Sequence, residues 1–156
     1  MQEEKNQTNN IRIVKLLIRN KFEKVLVLRR SKSHPTYAHY PDFPGGRVLE
    51  SEDDQTALGR KLNEETGLLL TTDRAVMVSE HALPIYKDQS VTYALYVLKT
   101  DYDQPRVALS WQHEHYEWSK PGELGGFDPP LQGCIDDARD FFLPVGDNDI
   151  TWRPSF

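Results

Sequence analysis

The sequence predicts a single domain of mixed α and β structure, on three observations. Apolar runs rich in Ile, Val and Leu lie at Ile11–Ile18, Phe22–Leu28 and Val91–Leu98. A helical segment between Ser51 and Gly67 opens on acidic residues and closes on glycine. A second helical pattern follows Pro129-Pro130. The 156 residues suffice for one hydrophobic core and leave little room for a second domain. At 38% apolar and 28% charged residues the composition is that of an ordinary globular protein.

Met1–Asn10 is polar and predicts a disordered tail, which leaves 11–156 as the domain. Ile11–Ile18 and Phe22–Leu28, separated by Asn20-Lys21, read as a β-hairpin ending in Arg29-Arg30. Ser31–Pro44 holds Pro35, Pro41 and Pro44 among histidines and tyrosines without periodicity, and predicts a long loop feeding into Gly45-Gly46. Ser51 is the expected N-cap of the first helix, with Glu52, Asp53 and Asp54 in its first turn and Asp54 spaced as the capping-box acid. Gly67 is the expected stop. Ala57, Leu58 and Leu62 form the apolar stripe of this helix, and Lys61, Glu64 and Glu65 share a neighbouring, solvent-accessible face. Ala75–Val78, Val91–Leu98 and Arg106–Leu109 read as strands, and His113–Trp118 as a short strand or its approach. Leu131, Cys134, Ile135, Ala138, Phe141 and Phe142 follow helical spacing, and Pro144–Phe156 reads as irregular.

Bulk properties exclude several classes of function. A net charge of -5 argues against broad binding to a nucleic acid polymer, which needs many Lys and Arg contacts to phosphate. With Cys134 as the one cysteine no intrachain disulfide can form. No apolar stretch is long enough for a membrane span or a signal peptide, so a cytoplasmic location is the default expectation. The oligomeric state is open, a homodimer included.

Two adjacent carboxylates, Glu64-Glu65, on a helix that follows a glycine pair make a hard oxygen site suited to Mg²⁺ or Mn²⁺. Such ions bridge phosphate oxygens and neutralise charge during phosphoryl transfer. A Glu-Glu pair alone is usually solvated helix surface; the frame around this one makes it specific. Gly46–Leu68 reads Gly-x5-Glu-x7-Arg-Lys-Leu-x-Glu-Glu-x-Gly-Leu, through Gly46, Glu52, Arg60, Lys61, Leu62, Glu64, Glu65, Gly67 and Leu68. This stretch resembles the Nudix box, Gly-x5-Glu-x7-Arg-Glu-U-x-Glu-Glu-x-Gly-U with U a bulky apolar residue, at every specified position except 61.

The resemblance implies an α/β/α sandwich on a central mixed sheet, with the Glu64-Glu65 helix on one side and the Leu131–Phe142 helix on the other. It implies divalent-metal-dependent hydrolysis of a pyrophosphate bond in a small nucleoside diphosphate derivative. Gly45, through its carbonyl, and Glu64 and Glu65 would then be metal ligands, while Gly46, Glu52, Arg60 and Gly67 support the loop and helix. Outside the box, Arg29-Arg30, Asp42-Phe43-Pro44-Gly45-Gly46, Glu117-Trp118 and Phe127–Gln132 look like the corresponding runs of family members that hydrolyse 8-oxo-dGTP. On that likeness Arg30, Phe43 and Gln132 become substrate-binding candidates, and Glu117 a third carboxylate ligand or base.

Lys61 is the departure. The family carries Glu there, as a metal ligand or, in some members, the general base. A lysine at that place is spaced to pair with Glu64 at i+3 and Glu65 at i+4, offsetting charge a divalent ion needs. It could instead face a substrate phosphate. A catalytically impaired nucleotide-binding or regulatory domain is therefore the second functional reading. His113 and His115 are alternative general bases, too few for a tetrahedral zinc site. Trp111 and Trp118 could stack on a base or fill the core.

Overall fold

The structure is a computed structural model that describes residues 10–86, 89–103 and 106–139. Seven strands run in chain order as β1 (Asn10–Arg19), β2 (Val25–Arg30), β3 (Pro41–Asp42), β4 (Gly45–Arg47), β5 (Val76–Tyr86), β6 (Gln89–Lys99) and β7 (His113–Ser119). Helix α1 spans Asp54–Thr66 and α2 spans Pro129–Asp137, with a single 3-10 turn at Pro121–Glu123. Of the tail expected at 1–10, Asn10 belongs to β1, and the rest lies outside the described residues, as does the C-terminal segment Pro144–Phe156.

The sheet order is β3-β2-β1-β6-β5, with β4 on β1 and β7 on β2. β1 and β6 run parallel from Asn10↔Ser90 to Arg19↔Lys99, and the other pairings are antiparallel, so the sheet is mixed. Period-two alternation sends its residues to two layers. Val14, Leu16 and Ile18 of β1, with Leu26, Leu28, Ala94, Tyr96 and Leu98, pack against Ala57, Leu58 and Leu62 of α1. Leu17, Val25, Val27, Leu95 and Val97 pack against Leu131, Cys134 and Ile135 of α2 and Ala138 at its end. The expected α/β/α sandwich is the observed one. Each fully buried leucine here contributes about 1.5–3 kcal/mol. No helix among the described residues is long and apolar enough to cross a membrane.

Several expectations are corrected. The hairpin turn is longer than Asn20-Lys21: the Asn20 side-chain oxygen accepts from the N–H groups of Phe22 and Lys24, and Glu23 takes φ +64°, so β2 begins only at Val25. The Ser31–Pro44 loop includes β3, paired with β2 through Leu28↔Asp42. Arg106–Leu109 is not a strand. Val107 is buried in the α1-side core, but the Ala108 and Ser110 N–H groups go to the carbonyls of Thr66 and Glu65, at the end of α1, so the segment serves that helix terminus.

The N-cap of α1 is Asp53, whose carboxylate accepts from Thr56 N at 2.8 Å, and not Ser51. The chain turns before the helix begins, with Glu52 N–H donating to Leu49 O and the Glu52 side chain accepting from Leu49 N. Asp54 is not a capping acid. It accepts from Arg12 Nε and Nη2 at 2.8 and 2.7 Å and from the Tyr96 hydroxyl, tying α1 to β1 and β6. Asp53→Ala is expected to lower Tm by roughly 2–4 °C, while Ser51→Ala leaves it unchanged. Thermal melts of the two variants decide the cap, and a larger loss in Ser51→Ala would overturn the assignment.

Candidate functional site

The site forms where the sheet opens. β1 meets β2 at Arg19↔Val25, but farther along it pairs with β4 at Ile13–Lys15, while β2 pairs with β3. The segment Pro41–Arg47 thus bridges the two strands, and Leu16 N–H donates to Pro44 O at 2.8 Å. Gly45 sits there with φ +147°, and a Cβ at this position would meet Val14 O at 2.0 Å, so no other residue fits. Its N–H donates to Glu65 Oε1 at 2.9 Å, which joins the glycine turn to the end of α1.

Glu65 is buried, only 3% exposed, where the sequence predicted a solvent-accessible face. Burial pushes its carboxyl above the ordinary range, against the pull of the Lys15 ammonium and the Gly45 N–H. Glu64, with half its side chain exposed, accepts weakly from Arg60 Nη1 at 3.4 Å. Lys61 pairs with both carboxylates as its spacing predicts, its Nζ lying 3.3 Å from Glu64 Oε1 and 3.8 Å from Glu65 Oε2. Its stem crosses Gly46, where an added Cβ would meet Lys61 Cε at 2.7 Å.

Glu52 and Arg60, supports of the loop and helix by the resemblance, form an ion pair. Arg60 donates Nε to Glu52 Oε2 at 2.7 Å, and its Nη2 reaches Glu52 Oε1 and the Arg47 carbonyl, both at 2.9 Å. The loop between β4 and α1 is thereby fixed against the helix. Gly67 ends α1 at φ +74° with its N–H on Asn63 O, as a left-handed cap requires.

Beneath the opening lies a buried charge cluster that the sequence reading did not assemble. Asp42 Oδ1 accepts from Lys15 Nζ at 2.9 Å, Arg30 Nη2 at 3.1 Å and Phe43 N at 2.9 Å, and its Oδ2 faces His113 Nε2 at 2.9 Å. Arg30 Nη2 also donates to Asp128 Oδ2 at 2.6 Å. Arg30 is only 3% exposed, and its Nε and Nη1 have no hydrogen-bond partner among the described residues. The available signal was Lys15 itself, a charge inside the apolar run Ile13–Ile18.

The other candidates fall in different places. Phe43 is fully buried and packs on Phe127 with ring centroids 4.9 Å apart, which makes it core. Gln132 accepts from Phe127 N and donates to Asp136 across one turn of α2. Glu117 is exposed and opposite Val27, a residue of the α2-side core, while its neighbours Tyr116 and Trp118 pack toward α1. Among the described residues no three acidic, His or Cys side chains form a group that could hold a metal. The donors that converge are the two carboxylates and the Gly45 turn. Their chemistry suits a hard divalent cation, and the Lys61 ammonium lies where positive charge between the two carboxylates is favoured.

These features define an α/β/α sandwich with a glycine turn and a carboxylate-bearing helix meeting at a split in a mixed sheet. The NUDIX domain family matches residues 9–139, and the chain belongs to that family. The sequence matches no curated protein. Among solved structures, it is similar to a MutT protein from Methanosarcina mazei Go1 at 24% identity and TM-score 0.69, covering 84% of this chain and 94% of that one. A C. elegans Ap4A hydrolase aligns at 24% identity and TM-score 0.55, over 83% and 94% of the two chains. The NUDIX domain of Shewanella oneidensis NrtR, solved with ADP ribose, aligns at 18% identity and TM-score 0.64, over 90% and 98%. At these identities the likenesses establish the fold.

Proposed function

We propose that the protein is a divalent-metal-dependent hydrolase that cleaves a pyrophosphate bond in a small nucleoside diphosphate derivative. The observation that carries this reading is that Glu64 and Glu65 flank one cationic group, the Lys61 ammonium, while Gly45 N–H holds Glu65, in a chain of the NUDIX family. Structures of like fold include a MutT protein, an Ap4A hydrolase and a complex with ADP ribose, which supports a nucleotide derivative as the substrate class.

Glu64, Glu65 and the Gly45 carbonyl would hold Mg²⁺ or Mn²⁺, and such an ion neutralises phosphate oxygens as charge develops on them. The remaining work falls to the chain. The Glu52–Arg60 pair holds the loop in register with the helix, and Gly45 N–H orients the Glu65 carboxylate. Attack is by water on phosphorus. Lys61, 17% exposed at its side chain and paired with both carboxylates, is the candidate cation for a substrate phosphate. Arg30, with two free donor positions, is a candidate for contact with the nucleotide.

A second reading, a nucleotide-binding domain of weak activity, is favoured by Lys61 itself. Lys61→Glu is expected to tighten Mn²⁺ binding under both readings, since it swaps a cation for a ligand. Hydrolysis should rise if the wild type lacks that carboxylate, and fall if Lys61 stabilises substrate phosphate. Product release with Mg²⁺ or Mn²⁺ over a panel of nucleoside diphosphate derivatives, beside binding of the same compounds, separates the readings. Binding without turnover in the wild type, with turnover gained in Lys61→Glu, would displace the hydrolase reading.

A further inference from the structure

Arg30 and Tyr40 close a loop by backbone bonds, Arg30 N–H donating to Tyr40 O at 2.9 Å and His39 N–H to Arg30 O at 3.0 Å. A compact loop with joined ends packs on its own side chains. Two of its rings face the buried charge cluster. The centre of the Tyr37 ring lies 5.8 Å from the Arg30 guanidinium, and the His34 ring lies 6.0 Å from that of His113. Arg30 Nε and Nη1 and His113 Nδ1 are buried and have no hydrogen-bond partner among the described residues.

His34 carries a bond that only its neutral ring can make. Thr36 N–H donates to His34 Nδ1 at 3.2 Å, across Pro35. The N–H points at this nitrogen, so the contact opposes protonation there. In the imidazolium both ring nitrogens bear protons, neither can accept, and the bond is lost. Tyr37 follows directly on Thr36, so the bond that fixes residue 36 also fixes the approach of the Tyr37 ring to Arg30.

The charges around the ring act in the same sense. Arg30 faces it from β2 and His113 from β7, with His113 Nε2 on Asp42 Oδ2, and Asp42 of β3 is the acidic group that opposes them. Burial and the Arg30 guanidinium hold the His34 ring below the ordinary histidine value. Tyr37 and His39 take φ +52° and +68°, left-handed backbone that residues other than glycine adopt at a cost, so the closed loop is maintained by its contacts. His39 differs from His34, since its Nδ1 lies 3.1 Å from Glu114 Oε2 and forms an ion pair only when that ring is protonated.

We propose that His34 is a protonation-sensitive latch: neutral, it keeps residues 34–37 closed over the Arg30 guanidinium, and protonated, it releases them and opens the guanidinium to solvent and its anions. A closed state that excludes the proton is favoured above the ordinary histidine value of about 6.5. Below that value each pH unit shifts the closed-to-open ratio by up to about tenfold, until the lowered value of the closed state is reached. The latch needs neither the α1 carboxylates nor a divalent ion, and it stands apart from the proposed hydrolysis.

The test is NMR of the full chain between about pH 7.5 and about pH 5, across the histidine range. It follows solvent exchange of the Thr36 amide and of Arg30 Nε–H, each referenced to an unstructured chain at the same pH. In the wild type both should lose about tenfold or more of their protection as His34 is protonated. His34→Asn should keep both protected throughout, because an Asn side-chain oxygen accepts from the N–H two residues on and does not titrate. His34→Ala should leave the Thr36 amide unprotected at every pH, and His39→Gln should keep the wild-type transition. Protection in the wild type that is unchanged while His34 titrates would overturn the latch. So would a wild-type transition in His34→Asn, or Thr36 protection retained in His34→Ala.

Discussion

Asp42→Ala is expected to destabilise the protein by about 3–5 kcal/mol, the cost of removing one partner from a buried ion pair. Asp42 is 1% exposed and is the anion shared by Lys15, Arg30 and His113. Without it the Lys15 ammonium, 6% exposed and deep in β1, keeps a long contact to Phe43 O at 3.4 Å and the attraction of the Glu65 carboxylate. Arg30 retains Asp128, so the loss centres on Lys15. Replacing both members, as in Lys15→Met with Asp42→Leu, should recover part of the stability because an apolar pair needs no compensating charge. Urea denaturation measures both variants. A loss below about 1 kcal/mol in Asp42→Ala would show that the cluster is solvated and contributes little.

The same cluster fixes a pH dependence. Burial alone would raise the Asp42 carboxyl, yet Lys15, His113 and Arg30 hold it well below the usual carboxylate range. A depressed folded value means that its stabilisation is present above the ordinary carboxylate range and is lost only as pH falls through the folded value. Glu65 has the opposite sign. Its raised carboxyl contributes stability below the ordinary glutamate value, and that contribution is lost as pH rises through the folded value.

Glu65→Gln is therefore expected to act in two directions at once. The metal-free protein at neutral pH should be at least as stable as the wild type, because a buried charge is removed and the amide oxygen can still accept from Gly45 N–H. Hydrolysis should fall by about 100-fold or more, since losing a ligand removes several kcal/mol of charge stabilisation at roughly 1.4 kcal/mol per tenfold. The comparison pairs thermal melts without divalent ions and turnover with Mn²⁺. A variant that loses stability and activity in proportion would reduce Glu65 to a structural acid.

Much of this was legible in the sequence because it is local. The apolar stripe Ala57, Leu58 and Leu62, the stop at Gly67 and the contact of Lys61 with Glu64 and Glu65 all follow from spacing along one helix, and the Glu52–Arg60 pair from the resemblance to a known family. The two-sided sheet followed from the resemblance of that helix and its flanks to a known family, confirmed by the match over residues 9–139. What remained hidden depends on long-range partners. Ser51 and Asp53 are equally good caps by type, and only the Leu49–Glu52 turn decides between them. Arg106–Leu109 has the look of a strand, but its N–H groups meet a helix terminus. Glu65 reads as surface until Lys15, four elements away in the cluster, is seen to supply its counter-charge. Asp128 carries no local mark that separates a buried charge from a solvated one, and Lys15, conspicuous inside its apolar run, carries no mark of the partners that neutralise it.

The central claim is that Glu64 and Glu65 belong to one divalent-cation site. Titration of Mn²⁺, followed by its electron paramagnetic resonance signal, tests this on the wild type, Glu64→Gln and Glu65→Gln. The expected result is a saturable site in the wild type and weaker affinity in each variant, with thermal melts showing both variants folded. Wild-type affinity retained in both variants would contradict the claim.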